Sequence, residues 1–163
     1  MIKRDSIMKR FLNISLLFIS LFISSTQAQW QFVNSPLANP DIKFIAQHPE
    51  GYIIAVSSLN EVFKSDISHT YWNRITTLNK TISSFAVGLD GVFYAGVIGG
   101  YLYSNDIGVT WQEKQLFISS NDYVTDIEFN PGGFIFILTS SNSTSLPRIL
   151  RSNDNGNTWI NSD

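Results

Sequence analysis

One eight-residue phrase is written twice in this chain and echoed a third time. Residues 104–111 read Ser-Asn-Asp-Ile-Gly-Val-Thr-Trp and residues 152–159 read Ser-Asn-Asp-Asn-Gly-Asn-Thr-Trp, so both fit S-x-D-x-G-x-T-W. A worn copy at 65–72 keeps Ser65 and Trp72 at the same separation, with Asp66 one place early. A repeat constrains architecture before any strand is assigned, because each copy must build the same small unit. The phrase has the chemistry of a tight hairpin. Gly108 and Gly156 tolerate positive φ, which a residue with a Cβ resists. Asp106 and Asp154 are placed to accept hydrogen bonds from turn amides, and Ser104, Ser152, Thr110 and Thr158 offer hydroxyls to the same backbone. Trp111 and Trp159 supply a large ring to bury against the sheet that follows. In the worn copy His69 stands at the glycine position and Tyr71 at the threonine position. That copy has lost the turn chemistry, which predicts a looser or differently shaped turn still pinned by Trp72.

Trp30, Trp72, Trp111 and Trp159 are separated by 42, 39 and 48 residues, and the units between them align in further columns. The segments 46–56, 86–96 and 128–138 each read as an apolar strand, a polar turn ending in glycine and a second apolar strand. Short third strands follow at 61–65, 101–104 and 148–152, then the phrase, then a fourth strand. Four strands in about 40 residues is the period of a propeller blade. The predicted fold is all-β: a β-propeller segment of about three four-stranded blades, with repeats at 31–72, 73–111 and 112–159.

The repeated phrase resembles the Asp-box, or BNR repeat, of sialidases, sortilin-type receptors, xyloglucan-cleaving glycosidases and photosystem II assembly factors of the Ycf48 type. The resemblance covers nearly all of the chain after residue 28. It implies a propeller whose boxes lie at the blade periphery, away from the substrate face, so the box residues receive a structural role. Because the family hosts hydrolases, receptors and assembly factors alike, it implies no single activity.

The first 28 residues stand apart. Lys3, Arg4, Lys9 and Arg10 precede an apolar run from Phe11 to Ile23, and Ser24 to Ala28 form a small, polar exit. This is the layout of a secretory signal peptide cleaved after Ala28, and either Met1 or Met8 could start it. A membrane anchor needs about 20 apolar residues, and this run has 13. Residues 29–163 then form one domain, secreted, periplasmic or at the cell surface, with no further membrane attachment. Seven basic against twelve acidic side chains remain, a net charge of about −5 that argues against nucleic acid. Cysteine is absent, so stability must come from burial rather than disulfides.

Closed propellers have about four to eight blades. Three blades, a short strand at Gln29–Phe32 and an abrupt finish after Trp159 leave two readings. The chain is a fragment of a longer propeller, the reading adopted, or open blade edges pair between chains.

Asp126 and Glu128 alternate with Ile127 and Phe129, and a spacing of two puts both carboxylates on one strand face. Paired carboxylates hydrolyse glycosides, so these two are the weak catalytic candidates, against a solvated strand face. A sialidase reading needs an arginine triad, and residues 29–163 hold only Arg74, Arg148 and Arg151, in the wrong places. His48 and His69 read as surface turn histidines with no second ligand nearby, so no metal and no cofactor is expected. The loop at 140–147 reads as an inert insertion. The sequence points to a secreted, non-catalytic module for protein or glycan binding. The alternatives are part of a secreted glycoside hydrolase, sialidase-like or xyloglucanase-like, and a Ycf48-like assembly factor.

Overall fold

The computed structural model describes residues 41–116, 121–141 and 146–162. The expected signal peptide, Trp30, the strand expected at Gln29–Phe32 and half of the loop at 140–147 lie outside these.

The described residues build three four-stranded antiparallel sheets and no helix. The first contains β1 (Ile42–Gln47), β2 (Ile53–Ser57), β3 (Glu61–Ser65) and β4 (Trp72–Thr77), hydrogen-bonded in chain order. The second contains β5 (Ser84–Val87), β6 (Phe93–Val97), β7 (Gly100–Ser104) and β8 (Gln112–Gln115). The third contains β9 (Asp122–Phe129), β10 (Ile135–Ser141), β11 (Arg148–Ser152) and β12 (Ile160–Asn161). Each is an up-and-down blade, and among their first strands β5 lies beside both β1 and β9.

Register aligns the blades row by row. Ile45–Ala55–Phe63, Phe85–Ala95–Leu102 and Ile127–Ile137–Leu150 occupy one matching row, on the face that looks back toward lower-numbered blades. Ala46–Ile54–Lys64, Ala86–Tyr94–Tyr103 and Glu128–Phe136–Arg151 occupy the adjacent row, on the forward face. Side chains alternate between faces with period two, so each blade has two apolar faces to cover. The cores lie between blades for this reason. The forward face of blade one (Tyr52, Ile54, Val56, Val62) packs against the rear face of blade two (Phe93, Ala95, Val97, Leu102). The forward face of blade two (Tyr94, Tyr101) packs against the rear face of blade three (Val124, Ile127, Ile135, Ile137, Leu150). Each fully buried large aliphatic or aromatic side chain stabilises by about 1.5–3 kcal/mol.

A polar latch accompanies each of these interfaces. Lys43 Nζ donates to the Ile82 carbonyl at 2.8 Å, and Ser83 Oγ donates to the Val124 carbonyl at 2.6 Å. Close approach also needs Gly96. A Cβ there would overlap Ser84 Oγ and stand 2.8 Å from Val124 Cβ.

The turns between third and fourth strands use the repeated phrase. In the second blade Ser104 Oγ donates to Asp106 Oδ1 at 2.7 Å and accepts from Gly108 N at 2.9 Å. Asp106 accepts from the Thr110 amide (2.9 Å) and hydroxyl (2.6 Å). The third blade repeats this with Ser152, Asp154, Gly156 and Thr158. Two consecutive residues take positive φ in both: Ile107 (61°) and Gly108 (82°), Asn155 (56°) and Gly156 (76°). Trp111 Nε1 donates to the Gly108 carbonyl, and Trp111 and Trp159 pack on the two interblade cores.

The first turn corrects the expectation that its chemistry was lost. Asp66 Oδ1 accepts from the amides of Thr70 (2.8 Å) and Tyr71 (2.9 Å), and Asp66 also accepts the Ser68 hydroxyl. Standing one place earlier, the carboxylate reaches one residue further along the turn. His69 takes φ of 57° without being glycine, and its Nδ1 lies 3.2 Å from Ser65 Oγ. The Asp66 carboxylate thus bonds this turn much as Asp106 bonds the next, and Trp72 beside it is half-buried.

His48 requires a second correction, because it is buried rather than a surface turn residue. Its ring stacks on Tyr52 at 4.1 Å and meets the edge of Phe93. Gly91 lies beneath it, so close that a Cβ there would stand 2.5 Å from Nε2. The blade boundary passes through this turn, which covers the imidazole with the neighbouring sheet.

Candidate functional site

Three adjoining cavities run along the boundary of the second and third blades, on the end that carries the β5–β6, β9–β10 and β11–β12 turns. The largest, about 620 Å³, is lined by Glu113, Lys114, Leu150, Asn157 and Trp159 among others. The next, about 230 Å³, shares Lys114 and Asn157 with it and is lined by Tyr94, Tyr101, Tyr103 and Asn105. The third, about 180 Å³, shares Asp90, Tyr94 and Asn155 with the second and ends at Leu89 and Gly133. Together they form one open groove.

The β6–β7 hairpin supplies the tyrosines. Period-two alternation sends Tyr94, Tyr101 and Tyr103 to the forward face of the second blade, where the turn of the third blade meets them. Tyr101 packs edge-on to Trp159 at 5.9 Å and donates its hydroxyl to the Gly156 carbonyl at 3.2 Å. Tyr94 lies 5.8 Å from the Tyr101 ring and 5.2 Å from Phe129. Lys114 reaches across from β8, bonding the Gly156 carbonyl and Asn157 Oδ1 (3.0 Å) with its ammonium 5.5 Å from the centre of the Tyr103 ring. Tyr103 donates to Gln112 Oε1 at 2.7 Å.

Burial, with help from the Asp90 charge, pushes the Tyr94 hydroxyl up to about 12. Burial raises Tyr101 as well. Both hydroxyls therefore remain protonated donors at any physiological pH. The groove offers aromatic faces, neutral donors and acceptors, one ammonium and the Asp90 and Glu113 carboxylates. Such a set suits orientation of a polar ligand over an apolar floor.

The candidates read from the sequence fall elsewhere. Asp126 and Glu128 share one face of β9, as their spacing predicts, and both are exposed while Ile127 between them is buried. They lie on the forward face of the third blade and line none of the three cavities. Asp126 Oδ1 accepts from the amide of Ile127. Arg74 pairs with Glu61 at 2.9 Å on the first blade, whereas Arg148 and Arg151 lie on β11. Among the described residues no three His, Cys, Asp or Glu side chains converge as a metal site would require. Of the residues that define the phrase, Gly156, Thr158 and Trp159 border the groove, as do Asn105, Asn155 and Asn157 at its variable positions.

The sheets, their order and their face-to-face packing define a β-propeller, and solved structures agree. The chain is similar to Ycf48 bound to a D1 peptide, at 18% identity and a TM-score of 0.64, over 82% of this chain and 43% of that one. It is similar to a gluconolactonase from Xanthomonas campestris at 10% identity and 0.56, over 75% and 47%. It is similar to the WD40 β-propeller domain of Doa1 at 15% identity and 0.51, over 69% and 37%. The chain thus spans less than half the length of these structures, and at such identities the likeness is one of fold. No family model and no curated protein matches the sequence.

Proposed function

We propose that this chain is an exported, non-catalytic propeller module of the Asp-box type that binds an extended polypeptide in the groove between its second and third blades. The observation that carries the reading is the row of Tyr94, Tyr101 and Tyr103 facing Asn155 and Asn157 across an open boundary. Tyrosine brings large contact area at low entropic cost, and asparagine pairs with both backbone amides and carbonyls. That a structure of this fold holds a peptide, Ycf48 with its D1 peptide, supports the choice of ligand class. The bonding of Ser104, Asp106, Gly108, Thr110 and Trp111 supports the Asp-box assignment. Export rests on the basic start and apolar run before Ala28. The exposed Asp126 and Glu128 stand away from the groove, so the glycoside hydrolase reading is not carried further.

Peptide and glycan arrays probed with the purified chain and its Tyr103→Ala variant test this. The reading expects capture of particular peptides, lost in the variant. Capture of glycans alone, or capture indifferent to Tyr103, overturns it. N-terminal sequencing of the exported protein tests cleavage after Ala28.

A further inference from the structure

The turns between first and second strands are built alike in the three blades and packed differently. His48, Gly88 and Asn130 hold one place, each donating its amide to a carbonyl four residues on, at Tyr52, Val92 and Phe134. Each also accepts the amide of a glycine with positive φ, at Gly51, Gly91 and Gly133. At the first boundary the His48 imidazole covers the glycine of the next blade, so that a Cβ on Gly91 would stand 2.5 Å from Nε2. The ring stacks on Tyr52 and meets the edge of Phe93. Lys64 adds a cation to this stack, its ammonium 3.9 Å from the centre of the Tyr52 ring.

The second boundary keeps the frame without this filling. Gly88 stands for His48, Val92 for Tyr52 and Tyr103 for Lys64. Gly133 holds the place of Gly91, and a Cβ on it would meet nothing within 4 Å. Ile135 holds the place of Phe93. Gly133 and Ile135 line the smallest of the three cavities, with Tyr94 and Phe129 as its aromatic walls. Space that the chain fills at one boundary with an imidazole and an ammonium is open at the other.

Asp90 gives this space its charge. Its Oδ1 accepts from the Val92 amide at 3.2 Å, and among the described residues no basic side chain pairs with the carboxylate. Lys114 is engaged by the Gly156 carbonyl and Asn157 and does not line this cavity. Asn155 adds an exposed side-chain amide with a second acceptor oxygen, and Leu89, 60% exposed, adds apolar surface.

We propose that this cavity anchors the polypeptide of the groove by taking one of its arginine side chains. The inference rests on the polypeptide reading of the groove. A guanidinium is planar like the imidazole of the first boundary, stacks on aromatic rings and donates to two acceptors at once, here Asp90 and Asn155. Its methylene stem covers Leu89. Lysine has the charge without the plane, so arginine ranks above it. Residues 29–163 carry seven basic against twelve acidic side chains, and a field of that sign favours a basic ligand.

Amide NMR of the full chain, titrated with N-acetyl-arginine methylamide, reads the cavity directly, and the citrulline analogue is its neutral isostere. The amides of Asp90, Gly133 and Asn155 should shift saturably with the arginine compound and not with the citrulline compound. Asp90→Asn keeps an acceptor for the Val92 amide and should weaken binding about fivefold. Peptides captured on an array should lose capture when their arginine is replaced by citrulline. Shifts absent at these amides, shifts equal for the two compounds, or an Asp90→Asn chain that binds as wild type overturn the inference. Peptide capture indifferent to arginine overturns it as well and leaves the groove reading standing. Arginine shifts without capture of any peptide support the arginine site and overturn the polypeptide reading of the groove instead.

Discussion

Tyr101 and Gly156, 55 residues apart, are joined by a hydrogen bond from the tyrosine hydroxyl to the glycine carbonyl, at 3.2 Å. A side chain of the second blade thus closes the turn of the third, and a Cβ on Gly156 would overlap the Tyr101 hydroxyl. The turn and the interblade core therefore stabilise one another.

Two tyrosine substitutions should have opposite signs. Tyr101→Phe removes a bonded hydroxyl and should cost about 1 kcal/mol. Tyr52→Phe removes a buried hydroxyl that has no hydrogen-bond partner among the described residues, and should be neutral or stabilise by about 1 kcal/mol. Urea unfolding of both variants measures the difference.

Acid should loosen the turns before the rest of the fold. Hydrogen bonds from the Thr110 hydroxyl and amide and the Ser104 hydroxyl hold Asp106 at about 2, against an ordinary 3.8, and the Thr158 and Ser152 groups do the same for Asp154. The folded values lie below the unfolded ones. Their contribution is therefore complete above about 4 and disappears as pH falls toward 2. Melting temperature should drop across that window, and Asp106→Asn with Asp154→Asn should flatten the drop while lowering stability at neutral pH.

Ile107 is a β-branched residue at φ of 61°, where the third blade places Asn155 at 56°. Asparagine tolerates this conformation and isoleucine does not. Ile107 is 39% exposed, so little packing is lost on replacement. Ile107→Asn should stabilise by about 1 kcal/mol, read as an increased denaturation midpoint.

Gly96→Val should do the reverse. The added atoms collide with Ser84 and Val124 at the blade boundary, and overpacking of this kind costs about 1–3 kcal/mol. Loss of groove binding should accompany the destabilisation.

The blades were legible because their signals are local. The Ser104–Asp106–Gly108 turn carries its bonding within eight residues, and period-two alternation places Ile127 inward between Asp126 and Glu128. The burial of His48 was not legible, since Gly91 and Phe93, which cover it, lie more than 40 residues away. Asp66 was misread because a capping carboxylate is defined by reach, and a one-residue shift still brings it to the amides of Thr70 and Tyr71. The groove had only a faint trace, the tyrosines at 94, 101 and 103, and it exists where Asn155 and Asn157 of another blade meet them.

The groove, the interblade cores and the repeated latches all require the second and third sheets to stand side by side. Ile98 and Tyr123 form an isolated antiparallel bridge between the end of one sheet and the start of the next. Such pairs bring Cα atoms to about 4.5–5.5 Å, within disulfide range. The chain has no cysteine of its own, so Ile98→Cys with Tyr123→Cys reports on this contact alone. Mild oxidation should give one intramolecular disulfide in nearly every molecule, detected by mass and by free-thiol titration. Thiols that stay free, or link only between molecules, would contradict the arrangement and with it the groove.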